Sequence, residues 1–310
     1  MKEQFMTKTV VVWIGALICC ALWGSAFPCI KIGYELFDIP SNAIASQVLF
    51  AGCRFTLAGI LAIAIGSVLN KKLLLPKKDS CIKIVKLSML QTVAQYLFFY
   101  IGLANTSGVK ASIIEGVNVF IAILVASLLF HQEPLTVKKM IGSIIGFAGV
   151  VLVNVSGNGV DMAFTFTGDG FIVLSTVAYA FSSVLLKRYA TEENPVVLSG
   201  YQFIVGGVIM VLCGLLGGGK LTTVSESGIA MLLYLALVSA VAYSLWGVLL
   251  KYNPISRVAV FGFMNPVFGV ILSAILLHEA DKLGLMCVVS LVLVCIGIYV
   301  VNFGTEKKEM

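Results

Sequence analysis

Residues 109–120 read VKASIIEGVNVF, and the groups in that run that could do chemistry are Lys110, Ser112, Glu115 and Asn118. Ser112, Glu115, Asn118 and Ala122 recur at i, i+3, i+6 and i+10, which places them along one stripe of a helix. Related stripes occur elsewhere. Gln91, Gln95 and Phe98 stand at i, i+4 and i+7, Ser239, Tyr243 and Trp246 repeat that spacing, and Phe261, Asn265 and Phe268 form another. Trp23, beside the Gly24-Ser25 step, and Tyr179 add two more large aromatics. Any one of these amides and hydroxyls could simply glue apolar helices together. Taken together, four stripes of amide, hydroxyl and aromatic groups predict a shared lining.

The chemistry this lining allows is recognition, not catalysis. The chain has two histidines, His131 and His278, and no HExxH, phosphate-binding loop or serine-nucleophile elbow. No catalytic residue, metal ligand or cofactor is therefore expected. Aromatic faces attract ammonium groups. A lone carboxylate among them would counter a positive charge or carry a proton. The predicted substrate-binding set is Glu115, Asn118, Gln91, Gln95, Trp23, Tyr179, Tyr243, Trp246 and Asn265, with Glu115 also the proton-coupling candidate. Glu115 lies about 8 Å along the helix from Lys110, a residue suited to anchor at the membrane interface. Were the helix to start late, Glu115 would be interfacial and without a role.

These groups sit in a chain built for lipid. Of 310 residues, 59% are hydrophobic and 12% charged, where a soluble protein carries about 25% charged residues. Apolar runs of about 20 residues span the hydrocarbon core, and they fall at roughly 10–33, 43–68, 84–104, 109–130, 137–154, 168–188, 196–216, 228–250, 257–277 and 283–303. The first run lacks a small-residue cleavage site and reads as a retained helix. Connections are short, and eight scattered cysteines read as small hydrophobes rather than a disulfide framework. With alternating loops, sixteen Lys and Arg fall on the side of the N-terminus and four on the other, while Arg54 lies within the second run. The excess predicts that both termini are cytoplasmic, and the net charge of +6 is read as orientation, with no nucleic-acid partner.

A shift of 148 residues overlays 46–154 on the following chain without a gap: Cys53-Arg54-Phe55 meets Tyr201-Gln202-Phe203, Gly59 meets Gly207, and Val119-Phe120 meets Val267-Phe268. Trp23 and Tyr179 correspond at an offset of 156. The expected fold class is an all-α integral membrane protein of ten transmembrane helices in two inverted five-helix repeats, residues 1–156 and 157–310. An odd number of helices per half turns the halves over, as in secondary transporters. Gly24, Ser25 and Pro28 would let the first helix bend beside a wet cavity.

The chain resembles the EamA-type members of the drug/metabolite transporter superfamily. The resemblance is carried by WGSAFPCIK at 23–31, Arg54-Phe55, GLANTSGVKAS at 102–112, LLFHQEPLT at 128–136 and NPVFGVILSAILLHE at 265–279. It covers nearly the whole chain and implies ten helices, cytoplasmic termini and movement of small metabolites, often export of amino acids or related compounds. Three positions depart from the pattern. Asn118 stands opposite Pro266, Glu115 opposite Phe263, and the acidic residue closing the fourth helix sits at Glu133, two places late. Arg54 could snorkel outward or pair with Glu115; because Arg-Phe belongs to the family pattern and Glu115 does not, a structural role is expected. The expected function is secondary transport of an amino acid, amine or related ammonium-bearing solute, with export as the direction. A proton-coupled carrier of quaternary ammonium or drug-like cations is the alternative, ahead of a non-transporting sensor or scaffold. Expected partners are the small solute, the lipid bilayer and a coupled proton, with the protein a monomer or homodimer in a bacterial inner membrane.

Overall fold

The computed structural model describes residues 2–106, 108–155, 164–276 and 285–303, and among these there is no strand. His278, Glu279 and the last predicted loop lie outside the described residues, as do the side chains of Lys110 and Ser112. In chain order the helices are α1 Thr9–Leu36, α2 Ile44–Leu69, α3 Lys78–Ala104, α4 in two pieces (Gly108–Gly116 and Asn118–Leu124), α5 Val137–Val155, α6 Phe166–Tyr189, α7 Pro195–Leu216, α8 Glu226–Tyr252, α9 Ile255–Leu276 and α10 Leu285–Asn302. Seven of them, α1, α2, α3 and α6 to α9, are long and apolar enough to cross a membrane. The stretches 113–129 and 288–302 are shorter apolar helices. Val68, Leu69, Ile144, Leu216 and Val288 are exposed, which in a bilayer is contact with lipid rather than with water.

With no hydrophobic drive between helices in lipid, close approach depends on small residues. α2 and α7 meet at glycines. A Cβ added at Gly59 would lie 2.4 Å from the Gly200 carbonyl oxygen, and one at Gly52 would lie 2.5 Å from Val211 N. α5 and α10 meet the same way, with Gly142 against Gly297 O at 2.8 Å and Gly149 against Ser290 O at 2.8 Å. At these two seams glycine lets the backbones of paired helices approach.

The helices nearer the centre are irregular. α3 contains a π-helical stretch, Ser88–Ala94, and α4 breaks at Val117 before ending in another, Val125–Leu129. α9 tightens into a 3-10 turn at Val260–Phe263. The cause there is local: Pro266 lacks an N–H and is tolerated only in the first turn of Met264–Leu276. The breaks in α4 and α9 pack on each other, since a Cβ at Gly262 would contact Val119 at 3.6 Å. α1 remains one helix through Pro28, so the bend anticipated at Gly24-Ser25 does not interrupt it. Gly24 instead admits α9, where a Cβ would lie 2.4 Å from Phe268 Cβ.

Candidate functional site

Trp23, on α1, is partly buried and packs against both main core clusters. Its ring meets Tyr243 edge-on at 5.1 Å and Trp246 at 5.0 Å. Such geometry directs ring edges at ring faces and fixes all three side chains. The Tyr243 hydroxyl lies 2.9 Å from that of Tyr96, and Tyr179 is within electrostatic reach of both. α1, α3, α6 and α8 thus bring Trp23, Tyr96, Tyr179, Tyr243 and Trp246 into one group.

Glu115, on the first piece of α4, is half-buried and makes no ion pair among the described residues. It lies within electrostatic reach of Tyr243. Asn118 opens the second piece of α4, and Asn265 follows the 3-10 turn of α9. Both have a buried amide oxygen with no hydrogen-bond partner among the described residues, as do Gln95 Oε1 and Trp23 Nε1. An unsatisfied buried polar atom costs about 1–3 kcal/mol, and four among the predicted site residues call for a common explanation.

Gln91 is differently placed. Gln202 Nε2 donates to Gln91 Oε1 at 3.1 Å, and the Thr92 hydroxyl donates to Gln202 Oε1 at 2.7 Å. It belongs to the crossing of α3 and α7, with its acceptor already used. Sequence periodicity missed Tyr96 for a related reason. The π-helical stretch adds a residue to the turn, so the face of Gln91 passes on to Tyr96 instead of Gln95. A polar residue inside a Ser-Met-Leu-Gln-Thr run does not announce such a turn.

Arg54 does not snorkel and does not pair with Glu115. It is only 3% exposed and donates to Ser239 Oγ from Nε at 3.2 Å and from Nη2 at 3.1 Å. Glu133, by contrast, has a clear structural task at the end of the bundle rich in lysine. Its carboxylate accepts from Ser256 N at 3.1 Å and Ser256 Oγ at 3.1 Å, and lies 3.4 Å from Lys139 Nζ. Lys187 donates to the Asn253 carbonyl and Arg257 to Thr9 Oγ1 beside it. Cys19 and Cys20, read as small hydrophobes, are buried and also donate weakly to Ala242 O and Phe261 O.

A bundle of apolar helices, seven of them long enough to cross a membrane, around aromatic and amide side chains is that of an integral membrane protein. The chain belongs to the EamA-like transporter family, whose model matches it twice, over residues 11–155 and 166–303. It is 27% identical to an uncharacterized transporter of Archaeoglobus fulgidus over 93% of this chain and 98% of that one. Identity is 25% to the uncharacterized transporter YvbV of Bacillus subtilis, over 100% and 96%. It is 28% to the uncharacterized inner membrane transporter YedA of Escherichia coli, over 90% and 88%. A solved crystal structure superimposes with a TM-score of 0.79 at 16% identity, covering 97% of this chain and 99% of the other, and shows a shared fold. Family and relatives indicate a transporter rather than an enzyme.

Proposed function

We propose that this protein is a secondary transporter that exports a small ammonium-bearing metabolite, an amino acid or amine, by alternating access between two inverted five-helix halves. The observation that carries the substrate class is the aromatic group of Trp23, Tyr243 and Trp246, with Glu115 a carboxylate that has no ion pair among the described residues. Ring faces and a carboxylate together favour a cation. Gln95, Asn118, Asn265 and Tyr179 supply polar contacts around it, and Gln91 fixes the crossing behind.

The seams support the two-fold reading. Under the 148-residue shift, Gly59 with Gly200 becomes Gly207 with Gly52, and Gly142 with Gly297 becomes Ser290 with Gly149. Each pair is a close contact, as expected if an axis in the membrane plane exchanges the halves. The double match of the family model points the same way. With lysines collected at one end of the bundle, both termini would be cytoplasmic. Broken helices at α4 and α9 suit a site between the halves.

With no ion pair among the described residues, Glu115 is also the candidate proton carrier, and the quaternary ammonium reading would use the same aromatic group. Transport by wild type and Glu115→Gln in proteoliposomes, with and without a pH gradient, tests both. Stimulation of wild type by the gradient and its loss in the variant is the expected result. Equal transport and equal coupling in the variant would remove Glu115 from the mechanism.

A further inference from the structure

Arg54 and Gln202 stand 148 residues apart, and so do Gln91 and Ser239. The structure contains the same polar crossing twice, once as Gln202 with Gln91 and once as Arg54 with Ser239. The first is closed within the protein, since the Gln202 amide both donates to Gln91 and accepts from Thr92. A neutral amide is therefore enough to join the helices at this position. The second crossing carries a guanidinium, with five N–H donors, yet its only hydrogen-bond acceptor among the described residues is the Ser239 hydroxyl.

That surplus is costly. An Arg at the middle of a membrane helix costs roughly 2.5–3.5 kcal/mol on insertion scales, and such residues mark solute pathways. No carboxylate lies within ion-pair distance of Arg54 among the described residues. Its guanidinium instead lies over the Phe55 ring, 4.8 Å from the centroid, and Phe55 meets Tyr96 at 4.4 Å. The Tyr96 hydroxyl meets that of Tyr243, which stands one turn along α8 from Ser239. A cation therefore borders the aromatic group without pairing with Glu115.

We propose that Arg54 binds the carboxylate of the transported solute, so that the cargo is a zwitterion whose ammonium end faces Trp23, Trp246 and Glu115. The inference rests on the transport reading and narrows it from ammonium-bearing solutes to amino acids. A planar guanidinium matches a carboxylate with two parallel hydrogen bonds. Phosphorylated cargo would call for several basic groups, and Arg54 stands alone here among the described residues of this layer.

Thermal stabilisation of the purified protein by the common L-amino acids, each paired with its decarboxylated amine, tests the assignment. Wild type should prefer at least one amino acid over its amine. In Arg54→Gln that amino acid should bind about tenfold or more weaker, the scale of a lost charged hydrogen bond, while binding of the amine stays the same. Arg54→Lys should recover part of the preference. If Arg54→Gln does not fold, Ser239→Ala frees the guanidinium without removing its charge and should alter amino-acid affinity alone. An unchanged amino-acid preference in these variants, or equal weakening of both ligands, overturns the proposal. Stabilisation of wild type by amines only overturns it and leaves the transport reading in place; stabilisation by neither class overturns both.

Discussion

Under the proposed repeat, the glycine seams of the bundle and its central layer follow opposite rules. Along α2–α7 and α5–α10 the two halves use equivalent residues for equivalent contacts, and glycine fills most of the positions. In the centre, equivalent positions hold different chemistry: Glu115 against Phe263, Asn118 against Pro266, Gln95 against Tyr243, and Arg54 against Gln202. Backbone approach in lipid has few solutions, so a duplication would preserve it. A solute has no two-fold symmetry, so residues proposed to recognise it are expected to diverge.

Overpacking the seams is the strongest way to break this contrast. Gly59→Leu and Gly207→Leu should each destabilise the protein by about 3 kcal/mol or more, because backbone stands where the side chain would go. Similar losses of Tm in detergent are expected for the two, as their contacts exchange under the repeat. A large loss for only one of them would break the equivalence. In the central layer, Tyr243→Phe removes the hydroxyl that meets Tyr96 and leaves both rings packed. It should cost about 0.5–1.5 kcal/mol in denaturant unfolding while reducing solute affinity several-fold, an uncoupling of stability from binding that no seam variant should show.

The smallest effect belongs to a surface pair outside both regions. Glu192, in the loop between α6 and α7, accepts a hydrogen bond from Lys83, and that contact holds its carboxyl below the ordinary value. A depressed carboxyl contributes stability above its unfolded value near 4.5 and loses it as pH falls through the folded one. Glu192→Gln should therefore lower Tm slightly near neutral pH and match wild type in strong acid. An exposed pair is screened by salt, so the difference should shrink in high salt.

What the amino-acid sequence determined by itself was the helical membrane character, the place of the long apolar helices and the family. Runs such as 44–69 and 195–216 are apolar throughout, and hydrocarbon leaves the backbone no alternative to a helix. Three aromatics singled out in the sequence, Trp23, Tyr243 and Trp246, do meet one another. Tertiary structure alone decided which polar groups are already satisfied. Gln91 and Gln95 look alike on a helical wheel, yet a π turn between them gives one a partner in Gln202 and leaves the other's oxygen without one. Arg54 reads as part of a family motif, and only the crossing with Ser239 shows a buried guanidinium with donors to spare. Periodicity reports the face a residue occupies, whereas satisfaction of its hydrogen bonds depends on what another helix, far away in sequence, brings to that face.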